Sequence, residues 1–195
     1  MSPQTLRIIR DEHSALAAML RTIPLLLAEH RRHRTRPDFD ALRAMLFYVD
    51  EFPERLHHPK ESELLFPKLR ALAPQSRELL DRLDNDHDRG ERAVRALQHQ
   101  LLAFELLGES RRDAFEEAAR HYVDAYLQHM ALEEREILPL AQQVLRPEDW
   151  AELDEAFASN RDPLTGHPPD ADYQDLFARI VRLVPAPLGL GTPPT

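Results

Sequence analysis

The chain is predicted to be all-α, an antiparallel up-down-up-down four-helix bundle with short C-terminal helices. Three observations carry that prediction. Apolar residues recur three and four positions apart over long stretches, strand-like alternation is absent, and only five glycines punctuate 195 residues. That length suits one domain, or one domain with a tail.

The first helix is expected from about Thr5 to His30, with Leu6, Ile9, Leu16, Leu20, Ile23 and Leu27 on one stripe and Pro24 bending it. Asp38 can cap the second, which runs from about Phe39 to Leu72 on Leu42, Leu46, Val49, Leu56, Leu64 and Leu69. Pro53, Pro59 and Pro67 lie inside it, so kinks or a break are expected there. The third spans about Ser76 to Leu107 and ends at Gly108-Glu109-Ser110. The fourth spans about Arg111 to Leu145. Two short helices, about Pro147 to Ser159 and Ala171 to Val184, would cap or flank the bundle. Short turns between long helices favour antiparallel neighbours. Residues 1–160 are read as the bundle, and 161–195 as an extension with one short helix and a Pro-rich tail, disordered or draped on the surface.

Composition narrows the functions. A formal net charge of −9 argues against a nucleic-acid partner. The basic run from Arg31 to Arg36 reads as a solvated helix end. With no cysteine, any metal must be held by nitrogen and oxygen. No apolar run approaches the ~20 residues that span a bilayer, and the N-terminus has no signal-peptide pattern. A cytoplasmic location is expected.

The chemistry sits where polar residues occupy core slots. His13 interrupts the stripe of the first helix, His87 that of the third and His129 that of the fourth, while His57 is nearly in phase in the second. Three of these have a glutamate four residues on: His57 with Glu61, His87 with Glu91, His129 with Glu133. A separation of four is about 40° of rotation and ~6 Å of rise, so both side chains share a face. Chance supplies about one such pair among ten histidines. Four inward histidines with three inward glutamates would be costly without a counter-charge, and a pair of cations removes the cost. His58 is expected about 100° off the inward face, at the surface or behind the ligands. His121 and Tyr122 are near enough in helical phase to be proton donors, though a packed tyrosine is the simpler reading.

The order Asp11-Glu12-His13, then Phe52-Pro53-Glu54-Arg55-Leu56-His57-His58-Pro59-Lys60-Glu61 leading to Leu65-Phe66-Pro67, resembles the hemerythrin-like (HHE cation-binding) family. So do Asp86-His87-Asp88-Arg89-Gly90-Glu91 and His129-Met130-Ala131-Leu132-Glu133-Glu134 leading to Leu138-Pro139. The resemblance covers residues 5–146. It implies a non-haem pair of iron ions, oxo- or hydroxo-bridged, with His13 and His57 on one metal and His87 and His129 on the other. Glu61 and Glu133 would bridge, and Glu91 would complete the ligand set of the second metal. Glu91 stands where the oxygen carriers have a histidine, and Glu134 rivals Glu133. Manganese or zinc would also suit these donors.

The function expected is binding or sensing of dioxygen, nitric oxide, or iron and redox state. The alternative is a di-iron oxidoreductase acting on peroxide, nitric oxide or ferrous iron.

Overall fold

The computed structural model of the chain describes residues 3–168 and 173–183. The expected tail from Pro185 to Thr195 and both ends of the last helix lie outside them. Among the described residues every regular element is helical. We label the long rods α1 (Gln4–His33), α2 (residues 39–72), α3 (Arg77–Leu107) and α4 (residues 112–144), followed by α5 (Pro147–Ala158) and α6 (Gln174–Leu183).

α1 runs unbroken through Pro24 and ends at Arg34, whose φ of 54° places it in the left-handed region. The Asp38 carboxylate accepts from Ala41 N–H, which caps α2. Contacts between α2 and α3 pair rising with falling numbers: Phe39 with Phe104, Asp50 with Arg95, Ser62 with His87, Arg70 with Asp81. These two rods are therefore antiparallel. α3 also packs on α4, and α4 on α1, which closes the ring of four.

The prolines of α2 neither break nor simply kink it. Residues Pro53–His57 and Glu61–Leu65 form wide π-turns, as do Glu133–Ile137 in α4. Each turn closes with an i→i+5 bond donated by the residue just before a proline: His58 N–H to the Pro53 carbonyl, Phe66 N–H to that of Glu61, Leu138 N–H to that of Glu133. Pro59, Pro67 and Pro139 follow immediately. A proline offers no N–H and crowds the carbonyl four residues back, so a locally widened turn relieves both problems. Each π-turn advances the helical phase by less per residue than an α-turn, which re-aims every side chain beyond it.

The apolar interior is split in two. A larger core gathers Leu16, Leu20, Tyr48, Val94, Phe104 and Phe115 with Phe177 and Ile180 of α6. A smaller one gathers Leu6, Ile9, Phe66, Leu80, Leu138 and Leu145 with Leu153 and Phe157 of α5. Between them in every rod lies a polar stretch, residues 12–13, 54–61, 87 and 129–133.

Candidate metal centre

Into that layer the four rods bring His13, His57, His58, Glu61, His87, His129 and Glu133, each at most 8% exposed. Two groups of ligand atoms converge, one from His58, Glu61, His87 and His129, the other from His13, His57 and Glu61, each within 4.8 Å of one another. Glu61 belongs to both. Its carboxylate lies 3.2 Å from His57 Nε2 and 3.5 Å from His87 Nε2. Glu133 bridges similarly, 3.2 Å from His129 Nε2, 3.7 Å from His87 Nε2 and 3.5 Å from His13 Nε2.

Four of the five rings are oriented from behind. His57 Nδ1 meets Glu12 at 2.6 Å, His58 Nδ1 meets Glu54 at 2.9 Å, His87 Nδ1 meets Ser62 at 2.9 Å and His13 Nδ1 meets Glu134 at 3.1 Å. A ring that donates Nδ1–H outward holds its Nε2 lone pair for the interior, the arrangement metal-ligating histidines use. His87 and His129 point their Nε2 atoms at each other, 3.0 Å apart.

The donor set fits cations. Both oxygens of Glu61, both of Glu133 and His57 Nε2 are buried and find no hydrogen-bond partner among the described residues. Burying a carboxylate without a partner costs several kcal/mol. Two carboxylates facing five imidazoles, with inner atoms unbonded, make sense chemically around positive charge. Cysteine is absent, so the donors are the borderline and hard ones that suit iron, manganese or zinc.

The electrostatics point the same way. Burial favours the neutral ring at His57 and at His129, yet the adjoining carboxylates, Glu61 and Glu12 for one and Glu133 for the other, outweigh it and raise both pKa values. Burial also opposes ionisation of Glu133, but His129, His87 and His13 hold its pKa well below the usual carboxylate range. His58 differs: burial, then repulsion from His87, His129 and His57, drive its pKa well down, so it is neutral. Its Nε2 lies 3.0 Å from the Tyr126 hydroxyl.

Two sequence expectations need correction. Glu91 does not enter the layer; its carboxylate is half exposed and pairs with Arg95 at 2.7 Å. The space beside His87 is taken by His58, whose ring stacks on it at 4.0 Å and 11°. His58 was expected off the inward face because an ideal α-helix turns 100° per residue. It sits between two π-turns, where that spacing does not hold, so His57 and His58 both face inward. Glu133 rather than Glu134 faces the layer, and Glu134 is 42% exposed. His121 is exposed, whereas Tyr122 is buried and donates to Glu54 at 3.4 Å.

Sequence reasoning also passed over Glu12, Glu54, Ser62, Tyr126 and Asn160 as supports. Only Glu54 carried a usable signal, lying one helical turn before the His57-His58 pair. Gly90 has a structural use, since a Cβ there would sit 3.0 Å from Glu54 Oε1.

Two cavities reach the layer. A small one of about 20 Å³ touches His13, His57, Tyr48 and Tyr126, and is about large enough for one water-sized molecule. A larger one of about 510 Å³ lies between α3 and α4 along His58, His87 and His129, walled by Gly90 and several alanines.

A helical bundle with a buried histidine–carboxylate layer of this kind is a metal-binding protein. Comparison with known proteins gives the particular family: residues 4–141 match the hemerythrin HHE cation-binding domain, and the chain belongs to that family. A Haemophilus influenzae protein described as uncharacterized is 35% identical over 79 residues, covering 40% of this chain and 45% of that one. The chain thus aligns with less than half the length of that relative. No solved structure matches. Among the described residues no helix is long and apolar enough to cross a membrane.

Proposed function

We propose that the chain holds two iron ions in the polar layer and binds or senses a small ligand such as dioxygen or nitric oxide. The observation that carries this reading is the set of orphaned inner atoms on Glu61 and Glu133 at the meeting point of five histidines. His13 and His57 would hold one ion, and His87 and His129, with His58, the other. Glu61 and Glu133 lie close enough to both groups to be shared. Iron bound there would supply a redox-active, ligand-accepting centre. The protein's part is to orient the imidazoles, hold the layer between two apolar cores and balance the cationic charge with two carboxylates.

The test is metal quantification with an optical spectrum, before and after azide or nitric oxide. Two irons per chain and bands that shift with the ligand are expected. A carefully reconstituted sample that retains no metal would refute the reading.

A second reading, a di-iron oxidoreductase, has one observation in its favour. Glu54 is pushed up to about 8, chiefly by burial, so it carries a proton at neutral pH beside His58 and the larger cavity. With Tyr122 donating to Glu54 and the Tyr126 hydroxyl 3.0 Å from His58 Nε2, a proton source adjoins the centre. Steady consumption of peroxide or nitric oxide by the iron-loaded protein would select this reading; stable adducts would select the first.

A further inference from the structure

We propose that the segment at residues 159–162, beyond the family match, is a working part of the centre, with Asn160 a positioning residue for the His13/His57 half. The inference rests on the two-metal reading above.

The segment crosses the polar layer from one core to the other. Phe157, at the end of α5, is in the smaller core and sets its ring edge-on to His57 at 5.8 Å. Leu164 is in the larger core. Between them the chain leaves the helix and turns at Arg161, where φ is +46°. Such a conformation is unfavourable for a non-glycine residue and persists only where the surroundings hold it. What holds it here is polar and buried. Asp162 accepts from the Tyr48 hydroxyl at 2.6 Å and from Leu164 N–H at 2.8 Å.

Asn160, only 5% exposed, lies at the level of the histidines. Its Nδ2 donates at 3.0 Å to Glu12 Oε2, the oxygen that also meets His57 Nδ1. Its carbonyl oxygen accepts from Lys60 Nζ. One carboxamide therefore ties α1, through Glu12, to α2, through Lys60, on the outer side of His57. With Glu12 pinned, the imidazole keeps its Nδ1–H outward and turns Nε2 to Glu61. An amide is the suitable group: it donates to a carboxylate and accepts from an ammonium, which a carboxylate in its place could not do. Among the described residues the supports of the other half, Glu54, Ser62 and Tyr126, all come from within the family domain.

The experiment uses the full chain loaded with cobalt(II) as a spectroscopic reporter, and compares Asn160→Ala, Asn160→Asp and Ser159→Ala. Ser159 also accepts from Lys60 but does not touch Glu12. Wild type should take two equivalents. Both Asn160 variants should keep one and bind the other at least tenfold more weakly, with loss of the low-field His57 Nδ1 proton resonance in the metal-free protein. Asn160→Asp should be the worse of the two, because it sets a second carboxylate against Glu12. A merely structural role predicts the reverse order, aspartate being the closer shape. Ser159→Ala should titrate like wild type. The inference is overturned if the Asn160 variants bind both equivalents normally, if alanine is the worse, or if Ser159→Ala loses as much. If wild type itself never takes two equivalents, the two-metal reading fails first, and this inference with it.

Discussion

The two halves of the polar layer are built differently. One gathers three rings, His58, His87 and His129, along the wall of a 510 Å³ cavity, with its supports drawn from α2 and α4. The other has two rings, His13 and His57, over a cavity of about 20 Å³, and leans on the segment that follows α5. Behind His58 stands Glu54, an acid kept protonated by burial. Behind His57, Glu12 works with Asn160. A nearly symmetrical four-rod frame thus yields one roomy, ring-rich half and one tight half closed from outside the bundle. The lesson is that supports and cavities can distinguish two groups of candidate ligands that share a carboxylate.

The comparison is broken most severely by removing what the halves share. Glu61→Gln should reduce two metals per chain to one or none by elemental analysis. It should also raise the stability of the metal-free protein, by about 1–3 kcal/mol in denaturant titration, because a buried unpartnered carboxylate is gone. Opposite signs for loaded and metal-free protein are the signature; a loss in both would mean that Glu61 is an ordinary structural residue.

Removing one ring from each half comes next. His58→Ala and His13→Ala should each leave about one tightly held metal, and their visible spectra after cobalt loading should differ, because different halves remain. Identical spectra would erase the asymmetry.

The outer acids sharpen the contrast through pH. Glu54 is raised from 4.5 to about 8, and Asp162 from 3.8 to about 6, burial being the main cause in each. In both cases the unfolded chain releases its proton first, so metal-free stability falls as pH rises between the two values and levels off above the folded one. Glu54→Gln should flatten the profile between about pH 4.5 and 8, by up to ~5 kcal/mol, and Asp162→Asn between about pH 4 and 6, by up to ~3 kcal/mol. Urea melts at stepped pH would check both, and coincident windows would contradict the assignment.

Smallest of all is Glu91→Gln. Its exposed pairing with Arg95 should be worth less than about 0.5 kcal/mol, with metal content unchanged. A clear loss of metal would return Glu91 to the centre.

Much of this was legible in the residues alone. Apolar spacing of three and four, interrupted by His13, His87 and His129, is enough to say that rods form and which polar side chains they turn inward, because α-helical phase is a local property. His57, Glu61 and Glu133 followed from the same arithmetic. The arithmetic misjudged His58, since it assumed 100° per residue across a stretch where prolines impose π-turns. The prolines were visible, but they read as kinks rather than as a change of phase. Glu91 was misplaced for a related reason: its position four after His87 says that it shares a face, not whether a neighbouring ring already fills the space.

What the order of residues determined by itself was therefore the helices, their inward faces and the choice of nitrogen and oxygen as ligand atoms, all set by short-range periodicity and by composition. Only tertiary structure decided that Asn160 reaches Glu12 across 148 positions of chain, that His58 stacks on His87, and that one half lies open along a cavity while the other is strapped shut. Those outcomes depend on how whole rods pack, and packing is settled by volume and contact between segments that no local pattern relates.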